Sequence, residues 1–389
     1  MADKEKPYKV YRGGRVKGPV RGAPVARERA DGGKGSDGDG YRGTYAEPVR
    51  KRRRWRRGIA LFVLLLLLLI VVWGVLGFLA FRNGVKEANS RLDGEATRAL
   101  SPSEGSILSI PSTILLIGSD AGPGRGRSRK GLSDSLMLVR SDPDEHRMSL
   151  LSIPRDLRVP IADHGEDKIN AAYPLGGAAL TLKTVQSLTG LPINHVVIVD
   201  FQRFGEVIDA LGGVTINVKK PILSKFDCPY GTPARCQRWK GWRFSRGVQE
   251  MDGRRALTYS RVRKNLLDPQ SSDLTRIANQ QQVVQAIGSK ATSFGTFLRL
   301  PLIGDDLARP LTTDLSAGEL MQLAWVKRRA AADPVRCRLG GSLSSDGSYI
   351  LAEDTGDVIL MFTGKTAAQP PRPGSELLGP GCFVGQSAK

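Results

Sequence analysis

Two aspartates flank the loop between two short apolar segments of this 389-residue chain. Asp120 ends the segment TILLIGSD, and Asp134 lies at the start of SDSLML. If these segments are adjacent strands, both carboxylates lie at the same end of a sheet. Two carboxylates with open coordination positions suit Mg²⁺, which shares its coordination with substrate phosphates, and Mn²⁺ is an alternative ion. The residues alone fit a metal site and two ordinary turn or cap residues equally well.

Cationic side chains follow the next apolar segment. Arg155 and Arg158 lie in SIPRDLRV, and Lys168 and Asn170 lie in DKINAAY, just before a pair of glycines. Ligands of α/β proteins usually collect beyond the ends of buried strands, so these four residues are candidates for binding. Several cations beside two acids fit a pyrophosphate held through Mg²⁺, where catalysis is mainly positioning and charge neutralisation.

A second cationic group lies further along the chain. Arg261 and Arg263 are two residues apart in YSRVR. On a strand both side chains would lie on one face and could bind phosphate oxygens together, whereas on a helix they would point in different directions. Asp273, Arg276 and Gln280 fall within about 60° of one another on the predicted helix that follows, at about 100° per residue. This trio either lines a site or is a capping Asp paired with a surface Arg.

The elements that must position these residues follow from the apolar pattern. Short apolar runs bounded by turn residues predict buried strands at residues 113–118, 135–140, 148–153, 195–200 and 214–218. Helical patterns predict helices at residues 178–188, 201–211, 274–291 and 317–331. Strands that alternate with helices predict an α/β fold whose central sheet carries helices on both faces.

A membrane span precedes this domain. Residues 59–81 form an uncharged apolar run of 23 residues, which would be about 35 Å long as a helix. Residues 1–57 carry 18 Lys and Arg against 7 Asp and Glu, a net charge of +11 out of +20 for the chain. The cations next to the run predict a cytoplasmic N-terminus. A cleaved signal peptide is the competing interpretation, but it would have a shorter apolar region.

The four cysteines, Cys228, Cys236, Cys337 and Cys382, all fall on the outer side, where disulfides persist. We expect Cys228 to pair with Cys236 and Cys337 with Cys382, although four cysteines allow three pairings. A zinc site would need a CxxC pair or a nearby His. With only three histidines and no GxSxG or Walker sequence, a His-dependent triad and a P-loop are both disfavoured.

The motifs resemble those of the LytR-CpsA-Psr family, over about residues 109–300 and more weakly to residue 364. The segments that carry the resemblance are TILLIGSD, SDSLML, SIPRDLRV, DKINAAYPLGG, FGEVIDALGGV, MDGRRALTYSRVR and DLTRIANQQ. The resemblance implies an α/β/α sandwich with a central mixed β-sheet. It also implies transfer of a glycopolymer from a polyprenyl pyrophosphate carrier to a hydroxyl of peptidoglycan.

By this resemblance Asp120 and Asp134 hold Mg²⁺. The cations that hold the pyrophosphate are Arg155, Lys168, Arg261, Arg263 and Arg276, with Arg158 as a weaker addition. Asp273 and Gln280 complete the polar wall, and Asp273 either orients the arginines or acts as the base on the acceptor hydroxyl. Asn279 stands where the family usually has Arg, and DPQSSD is a longer loop than in many members.

The expected organisation is a basic disordered cytoplasmic tail at 1–57, a transmembrane helix at 58–81, a stalk at 82–108, the catalytic domain at 109–364 and a C-terminal tail at 365–389. The polymer is arabinogalactan, a teichoic acid or a capsular polysaccharide, and the Arg-, Gly- and Ala-rich composition hints at an actinobacterium.

Two other functions stay open. A polyprenyl pyrophosphate hydrolase would use the same residues, with water in place of the sugar hydroxyl. A membrane-bound regulatory protein of the attenuator type would need no chemistry. The basic tail lacks a helix-turn-helix pattern, so membrane lipid is a simpler partner for it than nucleic acid.

Overall fold

The computed structural model describes residues 50–119, 131, 133–268, 273–330, 334–372 and 379–384, without the side chains of residues 50–54, 134, 201, 202, 273 and 274. The chain divides into two units, residues 1–60 and 61–389. Of the first unit the description covers only the start of a helix, at residues 50–60. The second unit contains the folded domain.

The described helices are α1 (Arg50–Asn89), α2 (Gly94–Ala99), α3 (Ala172–Thr189), α4 (Phe201–Ala210), α5 (Pro233–Arg238), α6 (Gly253–Arg261), α7 (Asp273–Ala291), α8 (Phe294–Ala308), α9 (Ala317–Arg329) and α10 (Thr355–Thr363), with a 3₁₀ turn at Ile169–Ala171. The first seven described strands are β1 (Ser112–Ser119), β2 (Ser133–Asp142), β3 (Arg147–Ile153), β4 (Arg158–Ile161), β5 (Gly165–Lys168), β6 (His195–Asp200) and β7 (Val214–Val218). The others are β8 (Ile222–Ser224), β9 (Trp242–Phe244), β10 (Gly247–Met251), β11 (Leu311–Thr313), β12 (Val335–Arg338), β13 (Gly340–Leu343), β14 (Ile350–Glu353) and β15 (Gly381–Val384).

The central sheet has seven strands in the order β11-β6-β1-β2-β3-β12-β15. The pairs β1–β6 and β3–β12 are parallel, and the other pairs in this sheet are antiparallel. The sheet is therefore mixed, as expected. The five predicted strands are present, although β7 pairs with β10 in a separate two-stranded sheet.

Alternation along the strands builds a core on each face of the central sheet. In β1, Leu115 and Ile117 pack in a cluster that includes residues of α3 and α10. Ile114 belongs to a second cluster, with residues of β2, β3 and α9, and Leu116 packs against it. Since successive side chains of a strand point to opposite faces, this apolar run must be covered on both sides. The result is an α/β/α sandwich.

Helix α3 is longer than its predicted range. It starts at Ala172, six residues earlier, and is interrupted by a kink at Gly176 and Gly177. Gly177 has a φ of 64°, a conformation that residues with a Cβ adopt only at a cost. The kink lets the polar DKINAAY segment join the helix that covers one face of the sheet.

The segments expected to be a stalk and a tail are parts of the folded unit. Val85, Ala96 and Ile107, within the expected stalk, are buried. Within the expected tail, β15 pairs with β12 at the edge of the central sheet. Both predicted disulfides, Cys228–Cys236 and Cys337–Cys382, are formed, and the second joins these two strands.

The helix that contains the predicted span is long and apolar enough to cross a membrane, over Trp55–Asn89. Its side chains at residues 61–72 are exposed. From Trp73 onward it packs on the domain, and further along Val85 is buried against Ala308 and Ala317. The predicted helix 59–81 thus lies within a longer helix, Arg50–Asn89, of which residues 61–72 are exposed.

Candidate active site

Three strands end together beside the candidate metal site. Ser119, the last residue of β1, lies opposite Asp200 at the end of the parallel strand β6. On the other side, Gly118 pairs with Ser135 and Ser119 with Ser133, so the backbone of Asp134 falls at a bulge. Bulges commonly redirect a strand next to active sites. Asp120 and the side chain of Asp134 lie outside the described residues, so the metal pair stays a prediction.

A half-buried tyrosine accompanies this strand end. Tyr173, in the DKINAAY motif, forms a side-chain hydrogen bond with Ser119. Burial raises the pKa of Tyr173, and the negative charge of Asp200 adds to the rise, while the hydrogen bond opposes it. The Tyr173 hydroxyl is therefore held in its protonated form. Sequence reasoning gave neither Tyr173 nor Asp200 a role.

Asp156 binds two of the predicted cations. Its carboxylate accepts hydrogen bonds from Nε of Arg155 at 3.3 Å and from Nζ of Lys168 at 3.0 Å. Burial alone would raise the pKa of Asp156, but the hydrogen bond from Lys168 and the charges of Arg155 and Lys168 outweigh it and hold the pKa below its usual value. An ionised Asp156 thus fixes Arg155 next to Lys168. The sequence analysis did not single out this carboxylate.

Arg158 lies at the rim of this group. Arg158 and Lys168 are opposite each other in the β4–β5 hairpin. The guanidinium of Arg158 forms a 2.6 Å ion pair with Glu166. It also lies 5.6 Å from the centre of the Tyr349 ring, as does Nζ of Lys168. The weaker predicted candidate is therefore already held by an acid and an aromatic ring.

Asn170 connects this hairpin to the strand that carries Asp134. Its backbone N–H donates to the carbonyl oxygen of Arg155 at 3.2 Å. Its carbonyl oxygen accepts from Oγ of Ser133 at 3.4 Å. Asn170 itself is buried. The described contacts give it a role in joining two parts of the site through its backbone.

Helix α7 has a site-facing side and a core-facing side. Arg276 is buried, and Oε1 of Gln280 accepts a hydrogen bond from Oγ of Ser135, one residue after Asp134. Gln281 instead donates to Oγ of Ser152 at 3.0 Å and to the carbonyl oxygen of Cys337 at 3.1 Å. Gln280 therefore lies with the predicted site, while Gln281 attaches the helix to the sheet. Asp273 begins the helix, but its side chain is outside the described residues.

Asn279, the departure from the family pattern, also has a structural partner. Its Nδ2 donates to the carbonyl oxygen of Tyr259 in α6 at 3.1 Å, and the side chain is buried. In turn, the Tyr259 hydroxyl donates to Oε1 of Gln282 at 2.7 Å. Asn279 therefore links α7 to α6.

Arg261 and Arg263 fit neither of the two arrangements that the sequence left open. Arg261 is the last residue of α6, and Val262 after it is extended. The helix ends between the two arginines, so they neither share a strand face nor diverge along one helix. The guanidinium of Arg261 lies 5.0 Å from the centre of the Phe226 ring.

A cavity of about 310 Å³ lies on one face of the central sheet, with an almost wholly apolar lining. Its walls come mainly from the sheet, from α7 and from α9, and Phe81 of α1 and Leu307 of α8 also line it. Representative lining residues are Ile114, Leu150, Val197, Val284, Ala324 and Phe81.

One face of α7 connects the polar group to this cavity. Arg276, Gln280, Val284, Ile287 and Ala291 fall within about 80° of one another, at about 100° per residue. The last three line the cavity. Arg276 and Val284 are about 12 Å apart along the helix axis, at about 1.5 Å per residue. The order of polar and then apolar residues along this face matches a molecule with an anionic head and an apolar tail.

Residues 77–341 match the LytR_cpsA_psr family. The chain belongs to the LytR-CpsA-Psr family. A member of similar sequence is the polyisoprenyl-teichoic acid–peptidoglycan teichoic acid transferase TagU of Halalkalibacterium halodurans, which is 30% identical over 233 residues, or 59% of this chain and 70% of that protein.

Solved structures of the LytR-CpsA-Psr family share the fold. TagT bound to LI-WTA has a TM-score of 0.54 and 27% identity, and the match covers 70% of this chain and 96% of that chain. TagT (YwtF) with bound octaprenyl pyrophosphate lipid has a TM-score of 0.51 and 25% identity, and this match also covers 70% of this chain and 96% of that chain.

Proposed function

We propose that this member of the LytR-CpsA-Psr family is a Mg²⁺-dependent phosphotransferase that ligates a glycopolymer from a polyprenyl pyrophosphate-linked donor to peptidoglycan. The observation that carries the proposal is the single face of α7 on which Arg276 and Gln280 precede the cavity-lining residues. A polyprenyl pyrophosphate has the matching order, with a charged head and an apolar chain. The likeness to TagU and to lipid-bound TagT supports the same assignment.

In this proposal the chain's own residues position and neutralise the pyrophosphate. Arg155 and Lys168, fixed by Asp156, lie on one side of it, and Arg276 with Arg261 and Arg263 supply the remaining positive charge. Such preorganised cations stabilise the charge that develops during phosphoryl transfer. The acceptor hydroxyl attacks the phosphorus next to the sugar, a new P–O bond forms, and polyprenyl phosphate leaves. The hydroxyl proton passes to a base, for which Asp273 is the candidate.

The residues at the strand end fit a magnesium ion. The described carboxylate Asp200 lies opposite Ser119, the residue before Asp120, and carboxylate oxygens are the protein ligands that Mg²⁺ prefers. Asp120 and Asp134 would hold the ion. When bound, it would neutralise phosphate oxygens; Mn²⁺ is expected to substitute.

The membrane assignment is part of the same proposal. Helix α1 crosses the cell membrane once, with the basic N-terminus in the cytoplasm and the domain outside. This places the site beside its lipid donor and raises the donor's effective concentration. The glycopolymer is a teichoic acid, arabinogalactan or a capsular polysaccharide, and the composition favours an actinobacterial cell wall.

Binding measurements test the head-and-tail assignment. A polyprenyl pyrophosphate should bind more tightly than either the corresponding polyprenol or inorganic pyrophosphate. Val284→Trp should weaken binding of the two prenyl ligands, whereas Arg155→Ala should weaken binding of the two pyrophosphates. Arg328→Ala, at an exposed arginine of α9, is the matched control. The assignment would be contradicted if the wild type bound the three ligands equally tightly and neither site variant changed their affinities.

A further inference from the structure

Helix α8 has an apolar face that is exposed among the described residues. Phe294 is 71% exposed and Leu302 is 75% exposed, and Phe297 and Leu298 are also exposed between them. At about 100° per residue these four side chains fall within about 140° of the helix circumference. The two phenylalanine rings stack with their centres 6.4 Å apart. Contiguous exposed apolar surface of this kind usually marks a contact with a partner or a membrane.

Helix α8 packs along the outer part of the apolar helix α1. Nε1 of Trp73 donates a hydrogen bond to the carbonyl oxygen of Leu298 at 3.1 Å. Further along, Gly304 approaches Phe81 so closely that a Cβ on Gly304 would lie 2.7 Å from the Phe81 backbone nitrogen. The two helices therefore run in the same general direction. The start of α8 lies beside Trp73, and its end lies beside residues 81–84.

Polar contacts fix the other end of α8. Arg91 donates to the carbonyl oxygens of Arg309 and Leu311, and Nε of Arg309 pairs with Glu87 at 3.2 Å. Arg309 also pairs with Asp305 at 2.6 Å. The polar end of α8 thus joins the polar end of α1, and the apolar end of α8 joins the apolar run. These contacts fix the position of α8 along the axis of α1.

We propose that the exposed face of α8 docks into the outer leaflet of the membrane that α1 crosses. This proposal rests on the proposed membrane span and orientation. Trp73 lies eight residues, or about 12 Å, before the end of the apolar run at Phe81. Each leaflet contributes about 15 Å of hydrocarbon. A span placed in the bilayer by this run therefore carries Leu298 and Leu302 into the outer leaflet, and Phe294, about 6 Å further along α8, lies near the bilayer midplane.

Docking at this depth also gives the lipid donor a route to its cavity. Phe81 of α1 and Leu307 of α8 line the apolar cavity, and Phe81 contacts α8 at Gly304. The cavity therefore reaches the seam between the two helices that the docked α8 shares with the leaflet. A polyprenyl chain enters along this seam from the hydrocarbon without crossing water.

Spin-label accessibility in liposomes tests the docking of the full-length chain. All four cysteines are in disulfides, so an introduced cysteine is the only free thiol. Phe294→Cys and Leu302→Cys report on α8. Leu343→Cys is the matched control, because Leu343 is 52% exposed on β13, which follows β12 toward the other edge of the central sheet. Leu68→Cys reports on the span itself.

The expected result is a ratio of oxygen to nickel-chelate accessibility that is several-fold higher at positions 294 and 302 than at 343, and close to the ratio at 68. A ratio at 302 equal to that at 343, with 68 still lipid-like, would overturn the docking and leave the anchor intact. Protection of 294 and 302 from both probes would show a protein partner and also overturn it. A water-like ratio at 68 would refute the span on which the proposal rests.

An activity comparison separates docking from folding. Leu302→Asp should lower the transfer rate several-fold with a donor embedded in a bilayer. With a donor in detergent micelles it should leave the rate unchanged, since no leaflet then needs to be entered. Leu343→Asp should leave both rates unchanged. Equal loss with both donors would contradict the docking, because it would indicate a change in the folded domain.

Discussion

Asp156 positions two cations of the candidate site, so its replacement tests whether their placement matters. Asp156→Asn keeps the shape but removes the charge that holds Arg155 and Lys168. We expect donor binding to weaken by about tenfold, in the range of the loss of one hydrogen-bonded charge. Titration calorimetry measures the affinity. Asp144→Asn, in an exposed turn, should have no effect.

The same carboxylate makes stability depend on pH. The pKa of Asp156 is lower in the folded chain than its usual value, so its contribution is fully present above about pH 4, the usual Asp pKa. It is lost as the pH falls through the folded pKa. The difference in unfolding free energy between the wild type and Asp156→Asn should be constant from pH 7 to about pH 4 and shrink below that. A difference that grows on acidification would contradict the assigned ion pairs.

Gln280 and Gln281 are neighbours with different partners, which makes them a matched pair. Gln281→Ala removes two buried hydrogen bonds and should lower the unfolding free energy by about 1–3 kcal/mol while leaving donor affinity unchanged. Gln280→Ala should do the reverse, with weaker donor binding and little loss of stability. Denaturant unfolding and binding titrations distinguish them. Identical behaviour of the two variants would show that α7 does not separate the site from the core.

The sequence predicted candidate site residues but not their supporting contacts. Arg155, Lys168, Arg276 and Gln280 were predicted because they stand in recognisable motifs, and their roles stay predictions. Asp156 and Ser135 were missed although they adjoin predicted residues, because a positioning partner has no pattern until the chain is folded. A search for acids next to motif cations would have found Asp156.

At the scale of elements, the disulfides are expected to contribute unequally. Cys337–Cys382 spans 45 residues and fixes β15 to β12, whereas Cys228–Cys236 spans 8. The chain-entropy model gives about 4 kcal/mol for the longer loop and about 2.5 kcal/mol for the shorter one. Replacing Cys337 and Cys382 by Ser should therefore lower the melting temperature more than replacing Cys228 and Cys236. The opposite order in calorimetry would contradict this assignment.

Strands with long apolar runs were predictable, while short and polar ones were not. The side chains of β1 point alternately into two cores, and its sequence is therefore nearly continuously apolar. β12 has the sequence VRCR and β15 has GCFV, so neither carries enough periodicity to be found. Helix α8 was missed as well, since its apolar residues pack on α1 or lie exposed, and it contains Pro301.

At the scale of the whole molecule, the account predicts a fixed topology. A cysteine at Leu343 should react in intact cells with a maleimide that cannot cross membranes, and a cysteine at Ala2 should react only after lysis. The reason is the basic cluster that retains the N-terminus in the cytoplasm. Mass-tag labelling measures both. Labelling of position 2 in intact cells would show the opposite orientation, with the domain in the cytoplasm. The site would then be on the other side of the membrane from its proposed acceptor.

The domain boundaries were harder to predict than the order of the parts. Residues 82–108 are polar enough to suggest a free stalk, yet scattered apolar residues such as Val85 and Ile107 bury themselves in the domain. Single buried residues carry no periodic signal. Their burial makes the end of α1 part of the folded unit.

The most direct test of the central claim is the product formed from a synthetic polyprenyl pyrophosphate oligosaccharide, Mg²⁺ and a peptidoglycan fragment. The full-length chain in liposomes should form a phosphodiester-linked conjugate, detected by mass spectrometry, and Arg155→Ala should lose it while Arg328→Ala retains it. Released phosphorylated saccharide without conjugate would indicate a hydrolase. Tight donor binding without any product would indicate a binding protein, and either result would contradict the transferase assignment.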